Sequence, residues 1–387
     1  MAATAEDDGQ IGATRGIAVR GAPERVDWRP VALALGALAF LVWLGRDMTF
    51  YHDEYAFLLL RDLSPAGIFA PHNEHLSATL VVLYRMLVAT VGTGSYWPYL
   101  GVTFALHLTV AGIVFVVVRR EINAVWALGA MAVMLLLGSG GDDILWAFQS
   151  GTIGAVAAGM AAVVLAPRRP ALAAILLTIA LATSGGGFAF LVGTAVHLAL
   201  TRPRALAWLA LPVGLYLAWY LGFGALRMAA LRSPSTDGVP GYLLEGLAAT
   251  AAGVVGFAEP VLGQFVLLAL AYGLGRARTI PPVVLAMLVT SVAFFAIAGL
   301  VRAQLGSEQA TAPRYVYIAA PGLLIAGAVL LARIPLPWRN VVGVTVLAVA
   351  LVGNVALLFE THDRLASKIE CEKTMTPVAR GSAGNPC

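Results

Sequence analysis

Charge is scarce in this sequence. Only 12% of its 387 residues are Asp, Glu, Lys or Arg, about half the share of an average soluble domain. A soluble fold this poor in charge could not cover its own surface. Disorder is excluded too, because 59% of the residues are hydrophobic. Lysine is nearly missing: Lys368 and Lys373 are the only two within a Lys+Arg total of 25. Cysteine is confined to Cys371 and Cys387; a disulfide between them would need an oxidising compartment. The first 30 residues hold no early apolar core, so no secretory signal pattern is visible. No internal repeat or low-complexity linker stands out.

What is present is apolar length. Mean hydropathy is +0.83, and the expected class is an all-α, polytopic integral membrane protein. A crossing needs roughly 20 apolar residues, fewer where protein surrounds it. Eleven crossings are read near residues 30–46, 98–118, 124–138, 148–166, 171–183, 188–200, 205–222, 261–275, 281–302, 315–332 and 341–359. Arginine sets the orientation, because short cytoplasmic loops collect positive charge. With residues 1–29 as a cytoplasmic arm, Arg119–Arg120, Arg168–Arg169, Arg202 with Arg204, Arg276 with Arg278, and Arg333 with Arg339 all fall inside. The net charge of +4 is read as this topology, so no nucleic-acid partner is expected. The protein is placed in the cell membrane as one integral domain over 30–359, with an extracytoplasmic tail over 360–387.

The acids agree. Of twelve carboxylates between residues 30 and 359, only Glu121 falls on the cytoplasmic side. Polar work is therefore expected at the outer face. Two apolar stretches, 76–91 and 243–257, do not fit as crossings. Crossing at 76–91 would put Arg119 and Arg120 outside, and Arg85 sits in its middle. Both are read as helices lying on the outer leaflet; if both cross, the count becomes thirteen. The first outer segment then runs over 47–97, and long ordered loops are usually functional.

Several clusters could carry chemistry. His52-Asp53-Glu54 follows the first crossing. Adjacent acids there could act as general base or hold a divalent cation; the plain alternative is complementing a helix dipole. Next comes His72-Asn73-Glu74-His75, which could contact substrate or a cation; the alternative is a capped helix start. A second acidic pair, Asp142-Asp143, lies in a glycine-rich outer turn before Trp146, Phe148 and Gln149. Ser184-Gly185-Gly186-Gly187 joins two short crossings and either offers backbone N–H groups to an anion or packs helices closely. Arg314-Tyr315 enters a crossing from the outer side, against the positive-inside trend, and could meet a phosphate or simply snorkel. Arg85, Arg227, Arg232 and Arg302 are weaker candidates of that kind. His107 and His197 lie in crossings and are expected to be satisfied by neighbouring helices.

The order of these features resembles the C-fold (GT-C) membrane glycosyltransferases, such as the protein O-mannosyltransferases and the lipid A aminoarabinose transferase. The N-terminus lies inside. One crossing leads to a long outer loop opening on Asp-Glu, a His-led helix sits in that loop, and an outer acid follows the third crossing. The likeness covers residues 30–166 and is otherwise one of span pattern. It implies transfer of a sugar from a polyprenyl-phosphate carrier to an envelope glycan, lipid or protein at the outer face. By the same likeness, Asp53 is the first-loop acid, serving as base or helping to place a cation, and Glu54 is its acidic neighbour. Asp142 or Asp143 is the acid after the third crossing. His72 or His75 matches the family's His-Pro-Pro-Leu stretch, which here reads His-Asn-Glu-His-Leu. Arg85 or Arg314 would meet the carrier phosphate. Together the expected catalytic residues are Asp53, Glu54, Asp142 and Asp143. Substrate contacts are expected at His52, His72, Glu74, His75, Arg85, Gln149, Arg314 and Tyr315, and a divalent cation (Mg or Mn) at Asp53 and Glu54. The competing classes are a secondary transporter or lipid flippase, which would place ionisable groups near mid-membrane, and a scaffold subunit with no pocket behind the acids.

Overall fold

A computed structural model describes residues 27–73, 75–225, 236–335 and 337–374. Among these the only regular secondary structure is helical, apart from one isolated bridge between His72 and His75. The expected all-α polytopic class holds. Eight helical segments among the described residues are long and apolar enough to cross a membrane, and four shorter apolar helices accompany them.

In chain order, α1 spans Arg29–Leu44, α2 Pro65–Phe69, α3 Ala78–Val91, α4 Trp97–Glu121, α5 Ala124–Leu135 and α6 Gly141–Leu145. They are followed by α7 Ser150–Leu165, α8 Pro170–Thr183, α9 Gly187–Thr201 and α10 Ala210–Trp219. The last five are α11 Val239–Val254, α12 Pro260–Arg276, α13 Pro282–Arg302, α14 Pro313–Leu331 and α15 Trp338–Thr374. Proline opens α4, α8, α12, α13 and α14, where its missing N–H costs nothing and its fixed φ favours the first turn. Asn123 caps α5 by accepting from the N–H groups of Val125 and Trp126.

The bundle has two chemically distinct ends. Arg119–Arg120, Arg168–Arg169, Arg202, Arg276 and Arg333 sit where α4, α7, α9, α12 and α14 finish. The opposite end carries the starts of α7, α9 and α14 and the finishes of α8, α10 and α13. The two stretches set apart in the sequence stay at this second end. The first turn of helix α3 lies there, with Leu80 against Gly151. The helix ends at Gly92, whose carbonyl accepts from the Tyr99 hydroxyl in the first turn of α4. Helix α11 starts with Gly238 against Ala303, just past α13, and ends with Gly253 against Ser139.

The core is helix-on-helix packing, with α14 almost wholly buried. Two buried histidines are paired across helices, as an apolar surround favours. His107 on α4 bonds the Tyr317 hydroxyl at 2.7 Å and the Leu135 carbonyl at 3.2 Å. His197 on α9 meets the Val163 carbonyl at 2.7 Å. Both histidines are therefore satisfied by neighbouring helices, as expected.

One boundary is corrected. The segment 360–387 is not a tail from its first residue, because α15 runs on to Thr374 as a single 37-residue helix. The apolar run ends near 359, but the helical pattern does not. Leu358, Thr361, Leu365 and Ile369 continue one buried stripe at three- and four-residue spacing. Cys371 lies in the last turns of this helix; Cys387 falls outside the described residues, as do Arg227 and Arg232.

Candidate functional site

A cavity of about 670 Å³ opens among helix ends at the second end of the bundle. The loop after α1, the turn before α7, the Ser184–Gly186 turn, the α13 finish, the α14 start and the late turns of α15 all contribute to its wall. Asp53 and Asp142 both line it, so the two acidic clusters converge. His52, His72, His75, Gln149, Arg314 and Tyr315 line it as well. Glu74 lies outside the described residues.

The acidic pairs split. In each, one carboxylate faces the cavity and its neighbour turns into the protein. Glu54 is fully buried. One of its oxygens accepts from the Tyr84 hydroxyl at 2.7 Å. The other accepts from the Tyr51 N–H at 3.1 Å, Trp146 Nε1 at 3.2 Å and the Tyr96 hydroxyl at 3.3 Å. Burial pushes its carboxyl up to about 7, against the pull of those donors. Fully buried, held by four donors and absent from the cavity lining, Glu54 is placed away from substrate and from a cation shared with Asp53. The expected catalytic and metal roles of Glu54 are therefore corrected: it ties the first loop to α3, α4 and the turn before α7. A divalent cation held jointly by Asp53 and Glu54 does not fit this arrangement.

Asp143 is corrected in the same way. It is fully buried and does not line the cavity. Among the described residues no donor reaches either of its carboxylate oxygens. Arg85 also turns away. Its guanidinium donates to the Phe57 and Leu58 carbonyls at 2.9 and 2.6 Å, so it caps the helical turn 56–60 from α3 and does not reach the cavity.

Asp142 lines the cavity but is already engaged. Arg364 on α15 grips it with two bonds, Nη2 to Oδ1 at 2.7 Å and Nη1 to Oδ2 at 3.2 Å. Two N–H groups from one guanidinium hold a carboxylate both strongly and in one orientation. That leaves Asp53, half-buried and lining the cavity, as the expected acid best placed to take a proton.

Cations face it. Arg314 approaches the Tyr315 ring at 5.0 Å from its centroid and Arg302 at 5.8 Å. Two guanidiniums thus approach the Tyr315 ring within cation–π range. Aromatic rings close another wall: Tyr51 and Trp146 lie 4.7 Å apart between centroids, and Trp146 and Phe148 5.2 Å. Burial, helped by Asp142 and Glu54, pushes the Tyr51 hydroxyl above its ordinary range, as expected of a phenol wedged between the two acidic clusters.

Backbone strain collects here. Among the described residues, His52 (φ 53°) and Asn73 (φ 50°) are the non-glycine residues in the left-handed region, and both line the cavity. Such conformations cost on the order of 1 kcal/mol each and persist where the surroundings over-determine them, often at functional sites.

Three lining or bracing residues escaped the sequence reading: Arg364, Lys368 and Glu372 on α15. Glu372 accepts from the His52 backbone N–H at 3.2 Å. The available signal was their spacing. Residues four apart share a helix face, and this charged face runs beside the buried stripe of α15. No family model, curated protein or solved structure matches this chain.

Proposed function

We propose that this chain is a membrane glycosyltransferase that moves a sugar from a polyprenyl-phosphate carrier to an envelope glycan, lipid or protein. The observation that carries this reading is that Asp53 and the Arg302–Tyr315–Arg314 cluster line one cavity at the end of the bundle opposite the arginine-bearing turns. The positive-inside rule assigns that end to the outer face and the N-terminus to the cytoplasm. The same order of first-loop acid, His-led helix and second acid underlies the resemblance to the GT-C enzymes.

The chemistry needs few parts. The acceptor hydroxyl oxygen forms a bond to the anomeric carbon, and its proton passes to the Asp53 carboxylate. The bond from that carbon to the phosphate oxygen breaks, and its electron pair leaves with the phosphate. Arg302 and Arg314 stabilise the charge gathered there, and they act strongly because the cavity is walled by apolar helices. Helix ends at the membrane boundary suit a carrier whose tail stays in the bilayer. The aromatic wall of Trp146 and Phe148 offers a face for a sugar ring.

Asp53→Asn tests this. The substitution keeps the shape and removes the base. Membrane vesicles holding wild type or variant are supplied with a panel of radiolabelled polyprenyl-monophosphate sugars, and incorporation into envelope material is counted. A general base contributes about 10²- to 10⁴-fold, so incorporation is expected to fall at least 100-fold while the thermal midpoint holds. Wild-type rates in a folded Asp53→Asn protein would overturn the assignment.

A further inference from the structure

We propose that the late turns of α15 form a substrate-binding wall, on which Lys368 binds an anionic group distinct from the phosphate assigned to Arg302 and Arg314. This deepens the glycosyltransferase reading and rests on it only for the identity of that first phosphate.

The placement is unusually determined. Arg364, Lys368 and Glu372 follow one another at four-residue steps, so they share one face of α15. One turn before Lys368, Arg364 holds Asp142 bidentately. One turn after it, Glu372 accepts from the His52 backbone. The helix is therefore pinned to both acidic loops, and Lys368 sits between the pins, lining the cavity. Its nearest helical partner of opposite sign, Glu372, is turned to His52. A lysine at this position is not needed to hold α15 in place.

Residue choice points the same way. The chain uses lysine twice and arginine everywhere else that it needs a cation. Arginine is its anchoring residue: Arg364 braces Asp142, and Arg85 caps carbonyls. Lysine differs by offering a compact, mobile point charge on a flexible stem, which suits a ligand that arrives and leaves. The neighbouring carboxylates are engaged elsewhere: Arg364 holds Asp142 bidentately, and a Glu372 oxygen accepts from the His52 backbone. The ligand class that fits is a molecule bringing a second phosphate or carboxylate. That group belongs either to the carrier, as a diphosphate, or to an acidic acceptor sugar.

Purified full-length protein decides between these. Wild type, Lys368→Gln and Lys368→Arg are titrated with farnesyl monophosphate, with farnesyl diphosphate, and with galacturonic acid added over saturating monophosphate. Binding is followed by fluorescence of the cavity tryptophan, Trp146. Lys368→Gln is expected to weaken one second-anion probe about tenfold, a change of about 1.4 kcal/mol, while monophosphate affinity and thermal midpoint stay unchanged. Loss confined to the diphosphate places the second anion on the carrier; loss confined to galacturonate places it on the acceptor. Lys368→Arg, keeping charge, is expected to recover most of the affected affinity. Equal weakening of all three probes, or none of any, overturns the proposal. The readout needs no transfer, so an intact Lys368 effect alongside a fully active Asp53→Asn would remove the glycosyltransferase reading and leave the anion site standing.

Discussion

Glu54 shows how a carboxylate in a functional loop can belong to the fold. Adjacent acids suggested a shared role, yet the turn at 52–53, with His52 at φ 53°, sends Asp53 to the cavity and Glu54 into a cage of Tyr84, Tyr96, Trp146 and the Tyr51 backbone. The sequence offered no way to separate them, because the donors lie up to 92 residues away. The consequence is a pH dependence of stability. Burial lifts the folded carboxyl from its ordinary 4.5 to about 7. Between those values the unfolded chain gives up the proton and the folded chain keeps it. Stability therefore falls as pH rises through this window, by about 3 kcal/mol in full. Gln at this position can accept the three donors on one side with its oxygen and donate to the Tyr84 hydroxyl with its nitrogen. In detergent, the wild-type thermal midpoint is expected to drop from pH 5 to pH 7.5. Glu54→Gln is expected to hold a nearly constant midpoint over that range. A variant that follows the wild-type slope would assign the titration elsewhere.

At the scale of elements, most of the apolar helices were legible because apolar length and arginine turns are local signals. The path from α5 to α7 was not. It is a run of short helical turns over 138–149, and its anchor is far off in sequence. Asn354 on α15 is fully buried. Its Oδ1 accepts from the Gly138 N–H at 2.8 Å, and its Nδ2 donates to the Gly253 and Ala350 carbonyls at 3.0 Å each. One side chain thus joins the acidic turn, the end of α11 and α15. Gly138 is required there, since a Cβ would collide with the Asn354 carbonyl. The same limit explains why α15 was cut short at 359: a buried stripe carrying Thr361 and flanked by charges scores as polar tail unless its partners are known. Asn354→Leu keeps the volume and strands the Gly138 donor and the Gly253 acceptor, at about 1–3 kcal/mol for each unpaired group. The expected result is a midpoint lowered by several degrees together with weaker binding at the cavity, because Asp142 rides on the loosened turn. A midpoint within experimental error of wild type would show that this staple is dispensable.

The whole molecule is polarised end to end, and under the positive-inside preference that polarity predicts its topology. Five arginine-bearing turns gather where α4, α7, α9, α12 and α14 finish, while the cavity occupies the opposite end. Helices α3 and α11 are apolar enough to invite crossings, yet each begins and ends at the cavity end. If either spanned the bilayer, the arginine turns beyond it would be forced onto the same side as the cavity carboxylates, against the positive-inside preference. Exposed positions report this directly. Thr93, Ala258 and Arg169 are all solvent-facing; the first follows α3, the second follows α11, and the third marks an arginine turn. In a background with Cys371 and Cys387 replaced by Ser, single Thr93→Cys, Ala258→Cys and Arg169→Cys chains are treated in intact cells with a membrane-impermeant maleimide. Thr93→Cys and Ala258→Cys are expected to label without permeabilisation, and Arg169→Cys only after it. Thr93→Cys protected in intact cells would mean that α3 crosses. Because α4 begins immediately after it, Arg119 and Arg120 would then face outward, and the cavity would lose its place at the outer surface where a lipid-linked donor is to be met.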